Sequence, residues 1–149
     1  MKSLFNPEAR QEIINRIENL KPDAQRQWGK MDVAQMLAHC NEVMKVAKGE
    51  LEQPGTLFSR IIGPIVRRAL YNDTPFPKNS PTAPYFKIID DKDFDKEKQN
   101  LISQVNQFYD LGIVKMPVHK HPFFGKITNS QWGLATYKHL NHHLEQFSS

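Results

Sequence analysis

The sequence predicts an all-α fold, a four-helix bundle with long crossover loops. Four stretches repeat apolar residues at three- and four-residue steps, the period of an amphipathic helix. Several of these stretches open on a capping residue followed by proline or glutamine at the position that completes the signal. No pair of runs alternates as paired strands would, and there is no internal repeat or low-complexity tract.

The first helix follows Asn6-Pro7, a cap residue with proline at the first helical position, where a missing N–H costs nothing. Ile13, Ile14, Ile17 and Leu20 form its apolar stripe, and Lys21-Pro22 stops it. The second opens at Asp32, with Gln35 three residues on, an Asp version of the capping box. Val33, Met36, Cys40, Val43 and Ala47 line its inner face, and Gly49 ends it. A third apolar segment, residues 57–70, is broken by Gly63-Pro64 and reads as one kinked helix or two short ones. "YNDTPFPKNSPTAPYFK" then carries prolines at 75, 77, 81 and 84, too dense for regular helix. It reads as a long extended connection of the kind that often serves function in a compact domain. Residues 93–111 are helical again, with Leu101, Val105, Phe108 and Leu111 inward and Gly112 after them. A second loop, "IVKMPVHKHPFFGKI", leads to a last helix from Thr128 to about residue 147, again with glutamine (Gln131) at the third position.

At 149 residues the chain is the length of one domain, residues 1–149, with enough apolar surface for a single core. Formal net charge is +4, but the basic residues are scattered, and Arg67-Arg68 is their densest pair. Nucleic-acid binding needs a basic stripe or patch, and none is present. The longest apolar run, "IIGPIV", is far too short to span a bilayer, so no membrane partner is expected. A single cysteine excludes an internal disulfide and fits a reducing compartment. The opening "MKSLFNPEAR" has no secretory apolar region, and a cytoplasmic protein is expected.

The histidines carry the chemistry. "YKHLNHHLEQF" places three of them near the end of the last helix. At about 100° per residue, Gly133, Tyr137, Leu144 and Phe147 fall within about 60° of Leu140, which defines a core-facing seam. His143 lies about 60° and His139 about 100° from Leu140, both on the flank that also carries Trp132 and Thr136. His142 falls about 160° away with Gln131, Lys138 and Glu145, on the side read as solvated. Two histidines at i, i+4 hold a metal weakly without a third ligand. His39, in "MLAHC", offers one: it sits about 40° outside Val43, the same seam-edge position on the second helix. Spacing alone leaves two readings level, a metal trio or ordinary boundary histidines.

"WGKMDVAQMLAHC" and "HPFFGKITNSQWGLATYKHLNHHLEQF" together resemble the DinB/YfiT-like superfamily, more narrowly a bacterial branch of DinB-like proteins. That resemblance covers about 40 residues, and the order of the helices between them also fits. It implies a four-helix bundle, often a homodimer, that holds a divalent metal with three histidines. Carried onto this chain, the ligands are His39 from the second helix and His139 and His143 from the last.

Three neutral imidazoles leave the dipositive charge of the ion unneutralised and a coordination position open, the arrangement of a Lewis-acid site. Zinc suits the set best, and nickel, iron, cobalt and manganese are compatible. The resemblance implies a metal-dependent transferase using a low-molecular-weight thiol, or a hydrolase, acting on a small-molecule substrate. The alternative is a non-catalytic, dimeric helical-bundle binding module whose metal is structural or absent. No general base stands out, since Glu42 and Glu145 read as solvated helix carboxylates. His119 and His121 form an HxH pair flanked by lysines on a loop, a poor cation site, and His121 is placed over the mouth of the pocket. Cys40 points into the apolar stripe as a small core residue rather than a ligand. Trp132 is placed as a wall of the pocket, or packed in the core like Trp28.

Overall fold

The computed structural model of the chain describes residues 1–55, 61–63, 65 and 67–149. The described residues are mostly helical, as the periodicity predicts. The long helices are α1 (Pro7–Asn19), α2 (Val33–Ala47), α3 (Phe94–Lys115) and α4 (Asn129–Gln146). One 3-10 turn spans Arg67–Leu70 and another Pro84–Phe86. The kinked segment predicted over 57–70 lies in part outside the described residues.

The capping signals do what their chemistry requires. Asp32 accepts from the Gln35 backbone N–H at 2.8 Å, and the Gln35 side chain accepts from the Asp32 N–H at 3.1 Å. Thr128 and Gln131 repeat the exchange at 3.2 and 2.8 Å, so both helices that carry the histidines begin at a fixed residue. Asp93 caps α3 through the Lys96 N–H at 2.9 Å. At α1 the outcome differs: the Asn6 side chain makes no cap bond, and the start rests on Pro7, whose ring already holds the helical φ. Gly112 adopts φ 60° and ψ 179°, so α3 breaks there and its last turn departs from the axis. Leu111, expected inward, is therefore only half-buried beside the break.

Helix α2 packs chiefly on α3 and also on α4, while α1 packs on α3 and α4, and α3 touches α4. The enclosed centre is built from Ile13 and Ile17, Met36, Leu37 and Met44, Leu101, Val105 and Phe108, and Leu140 and Leu144. Each fully buried side chain of this size contributes on the order of 1.5–3 kcal/mol, which is what sets α2 against α4. The N-terminal segment crosses α4 closely: Leu4 N–H donates to the Gly133 carbonyl at 3.0 Å, and Phe5 stacks on Phe108 at 4.8 Å. A side chain at Gly133 would meet the Phe5 ring at 2.4 Å, so only glycine permits this crossing.

One expectation is corrected. The second loop holds a minimal antiparallel hairpin, β1 (Lys120–His121) with β2 (Gly125–Lys126), where no strand pair was expected. Two residues per strand are too few to show an alternating pattern, and the turn is set by Gly125 at φ 73°. No helix among the described residues is long and apolar enough to cross a membrane.

Candidate metal centre

Helix α2 supplies His39 and α4 supplies His139 and His143, and one donor nitrogen from each lies within 4.8 Å of the others. His39 Nε2 and His139 Nε2 are 3.2 Å apart. Two nitrogens bound to one tetrahedral zinc at about 2.0–2.1 Å lie about 3.3 Å from each other, so this pair is already spaced as shared ligands would be. His39 and His143 are buried and His139 is half-buried.

Neighbouring groups decide which nitrogen of two rings is free. The Phe86 carbonyl can only accept, so His39 Nδ1–H donates to it at 2.9 Å and the lone pair stays on Nε2. At His143 the argument runs through an amide. The carbonyl of Trp28 can only accept, so Gln146 presents its NH2 group there at 2.7 Å. That orientation turns Gln146 Oε1 toward His143, whose Nδ1–H donates to it at 3.0 Å. Gln27 N–H also bonds the Gln146 carbonyl at 2.7 Å, which ties the "QWG" turn over the end of α4. Gly29 in that turn has φ +83°, and a side chain there would stand 2.6 Å from the Gln146 amide nitrogen. Orienting bonds of this kind are the usual support of metal-binding histidines.

Burial keeps the rings uncharged. It pushes His143 down to about 3, helped by repulsion from His39. It lowers His39 too, with His142 adding to the effect and the Phe86 bond opposing it. His139 is pushed well down by burial, then by His143 and His39. Neutral imidazole is the form that binds a cation, so the donor set fits a divalent ion of zinc or late transition-metal type.

The cluster opens on a cavity of about 380 Å³, with Val43, Leu70, Phe76, Phe86, Phe124 and Trp132 among its walls. The proline-rich loop supplies one side of it, including Ser80, Thr82 and Tyr85. No carboxylate, lysine or arginine is among the described lining residues. Trp132 and His121 stand in this wall as the sequence suggested. Glu42 pairs with Lys45 at 2.7 Å outside the cavity, and Glu145 is exposed. Cys40 is buried beside Met36, and burial pushes its thiol up, away from the reactive thiolate. His119 turns both nitrogens to backbone carbonyls, Pro117 at 2.8 Å and Val46 at 2.9 Å, so neither of them faces the three-histidine cluster.

Two residues placed on the solvated side lie elsewhere. His142 is half-buried between Trp28 (5.4 Å) and Phe76 (5.9 Å), on the cavity side of α4. Lys138 is buried, its ammonium donating to the carbonyls of Ala69 and Asn72 and stacking over Phe76. The crossover covers this face of the helix, so it is not solvent that the two residues meet. Sequence reasoning also missed Phe86 and Gln146. Gln146 stands three residues after His143, a helical neighbour position that could have flagged it. A backbone carbonyl such as that of Phe86 leaves no such mark.

No curated protein and no solved structure matches the chain. One family model matches it over residues 2–149, nearly the whole length and every element that builds the site. The chain belongs to the family described as a protein of unknown function (DUF1569).

Proposed function

We propose that this chain is a four-helix bundle of the DinB/YfiT-like kind that binds a divalent metal, zinc foremost, through His39, His139 and His143. In this reading it acts as a metal-dependent transferase or hydrolase on a small molecule. The observation that carries it is the convergence of three neutral imidazoles at the wall of an apolar cavity, two of them with Nδ1 spent on orienting bonds. The packing of α2 on α4, with α1 and α3 completing the core, supports the bundle. When bound, the ion supplies a Lewis acid that polarises a substrate carbonyl and lowers the pKa of a nucleophile such as water or a thiol. The chain's own part is to hold the three rings, keep them unprotonated and line the reaction space with apolar walls. A homodimer belongs to the same proposal.

Metal analysis of protein purified without a histidine tag tests the reading, with His39→Ala as control. About one equivalent of metal in the wild type, lost in the variant, is expected. Absence of metal, with none taken up on adding it back, overturns it. One observation favours the second reading, a binding module with a structural metal: no carboxylate is among the described residues that line the cavity to act as a base. In that case chelation should lower thermal stability strongly, whereas an open catalytic site should cost less.

A further inference from the structure

His121 has a defined tautomer and an unused donor. Its Nδ1 lies 3.1 Å from the Phe123 N–H and 3.2 Å from the Phe124 N–H. Backbone amides only donate, so Nδ1 carries the lone pair and the ring proton sits on Nε2. Stacking on Trp132 at 5.1 Å and contact with Phe124 at 4.7 Å hold the ring in place. Nε2–H has no acceptor among the described residues, yet the ring forms part of the cavity wall. A fixed donor without an acceptor, in a mostly apolar cavity, matches a ligand that brings the acceptor with it.

The rest of the wall describes the remainder of that ligand. Aromatic and aliphatic side chains dominate it, with hydroxyls at Ser80, Thr82 and Tyr85, and no charged side chain is among its described residues. A multiply charged molecule would lose its hydration there without counter-charges to replace it. An apolar body with a single oxygen-bearing end that accepts a hydrogen bond loses far less.

We propose that this cavity binds a small, mainly apolar molecule bearing a carbonyl or carboxylate oxygen, and that His121 Nε2–H donates to that oxygen in the cavity the three-histidine cluster also lines. The proposal rests on the metal reading only for placing the ligand beside a reactive centre. His121 is a binding residue whose donor fixes which end of the substrate enters.

Calorimetry on chelator-treated wild-type protein separates the two claims, since none of the three probes can then be held by metal. The probes are 4-phenylbutan-2-one for the carbonyl, 3-phenylpropionate for the carboxylate, and 3-phenylpropylammonium as a cation of similar size. At least one oxygen-bearing probe should bind tenfold or more tightly than the cation, and which one binds identifies the form of the oxygen. His121→Phe should weaken that binding about tenfold, and His121→Gln, which can accept the two amides and still donate, should restore most of it. In the unaltered protein, the Nε2 resonance of 15N-labelled His121 should move on adding the probe, a readout that needs no variant. Binding of neither oxygen probe, equal binding of the cation, or an unmoved His121 resonance overturns the proposal. Protein that takes up metal on add-back but binds no oxygen probe refutes this inference alone, and protein that binds the probe but takes up no metal on add-back refutes the metal reading alone.

Discussion

Replacing Gln146 by leucine tests how the histidine cluster is held. Leucine nearly matches glutamine in volume, so packing beside the fully enclosed Leu144 should survive. What disappears is the amide bridge, with bonds of 2.7 Å to the Trp28 carbonyl and 3.0 Å from His143 Nδ1. His143 is buried, so its N–H loses its partner away from water, at a cost of about 1–3 kcal/mol. The Trp28 carbonyl is less enclosed and recovers part of its bond from solvent, so the total is about 2–4 kcal/mol. For a chain of this length that is a fall in Tm of roughly 5–15 °C, read by thermal denaturation with chelator present. Metal affinity, read by competition with a chromophoric chelator, should fall about 10–100-fold, because His143 is no longer held with Nε2 free. Gln146→Glu divides the two effects. A carboxylate accepts the His143 N–H but cannot donate to Trp28, so it should restore affinity and leave stability low. A leucine variant that melts within about 2 °C of the wild type and binds metal equally well refutes the bridge, since that is less than one buried hydrogen bond.

Acid should destabilise the metal-free protein in a defined direction. Burial holds His121 and His143 down at about 3 and lowers His39 and His139, whereas in the unfolded chain all four return to values near 6.5. Between these limits the unfolded chain binds more protons, so stability falls as pH falls from about 6.5 toward 3, by up to about 1.4 kcal/mol per unit for each histidine. A urea midpoint that stays flat from pH 7 to pH 5 contradicts neutral burial. His142→Ala should leave metal stoichiometry unchanged, since that ring packs between Trp28 and Phe76 and stands outside the trio. It should cost about 0.5–1.5 kcal/mol of stability, and loss of bound metal would make His142 a ligand.

How much of this was legible depended on where each signal was written. Capping boxes name their own residues, so the starts of α2 and α4 could be read directly, at Asp32 and Thr128. The i, i+4 pair and the seam-edge position of His39 were equally local features, and they led to nitrogens that meet across a hundred positions of sequence. The helical wheel failed at Lys138 and His142 for one reason. It assigns a helix one buried face, whereas the crossover and its 3-10 turn lay Ala69, Asn72 and Phe76 over a second. The bond to the Phe86 carbonyl was hidden because a backbone atom looks alike at every residue. The hairpin at 120–126 was hidden by its brevity.

The division of work between helices and loops has a mechanical consequence. Helices α2 and α4 bring the imidazoles together, but the bonds that set the angles of two rings reach into the connections between helices. His39 takes its orientation from the proline-rich loop and His143 takes its own, through Gln146, from the turn at Trp28. The same loop walls the cavity, so its placement both shapes the binding space and leaves the His39 Nε2 lone pair facing the cluster. Pro75, Pro77, Pro81 and Pro84 restrict the unfolded loop, so ordering it costs less entropy than ordering a flexible segment of equal length. Stiffening by proline therefore acts on the centre at a distance. It keeps the Phe86 carbonyl in place, that carbonyl keeps the proton on Nδ1, and the proton's position leaves Nε2 free to bind.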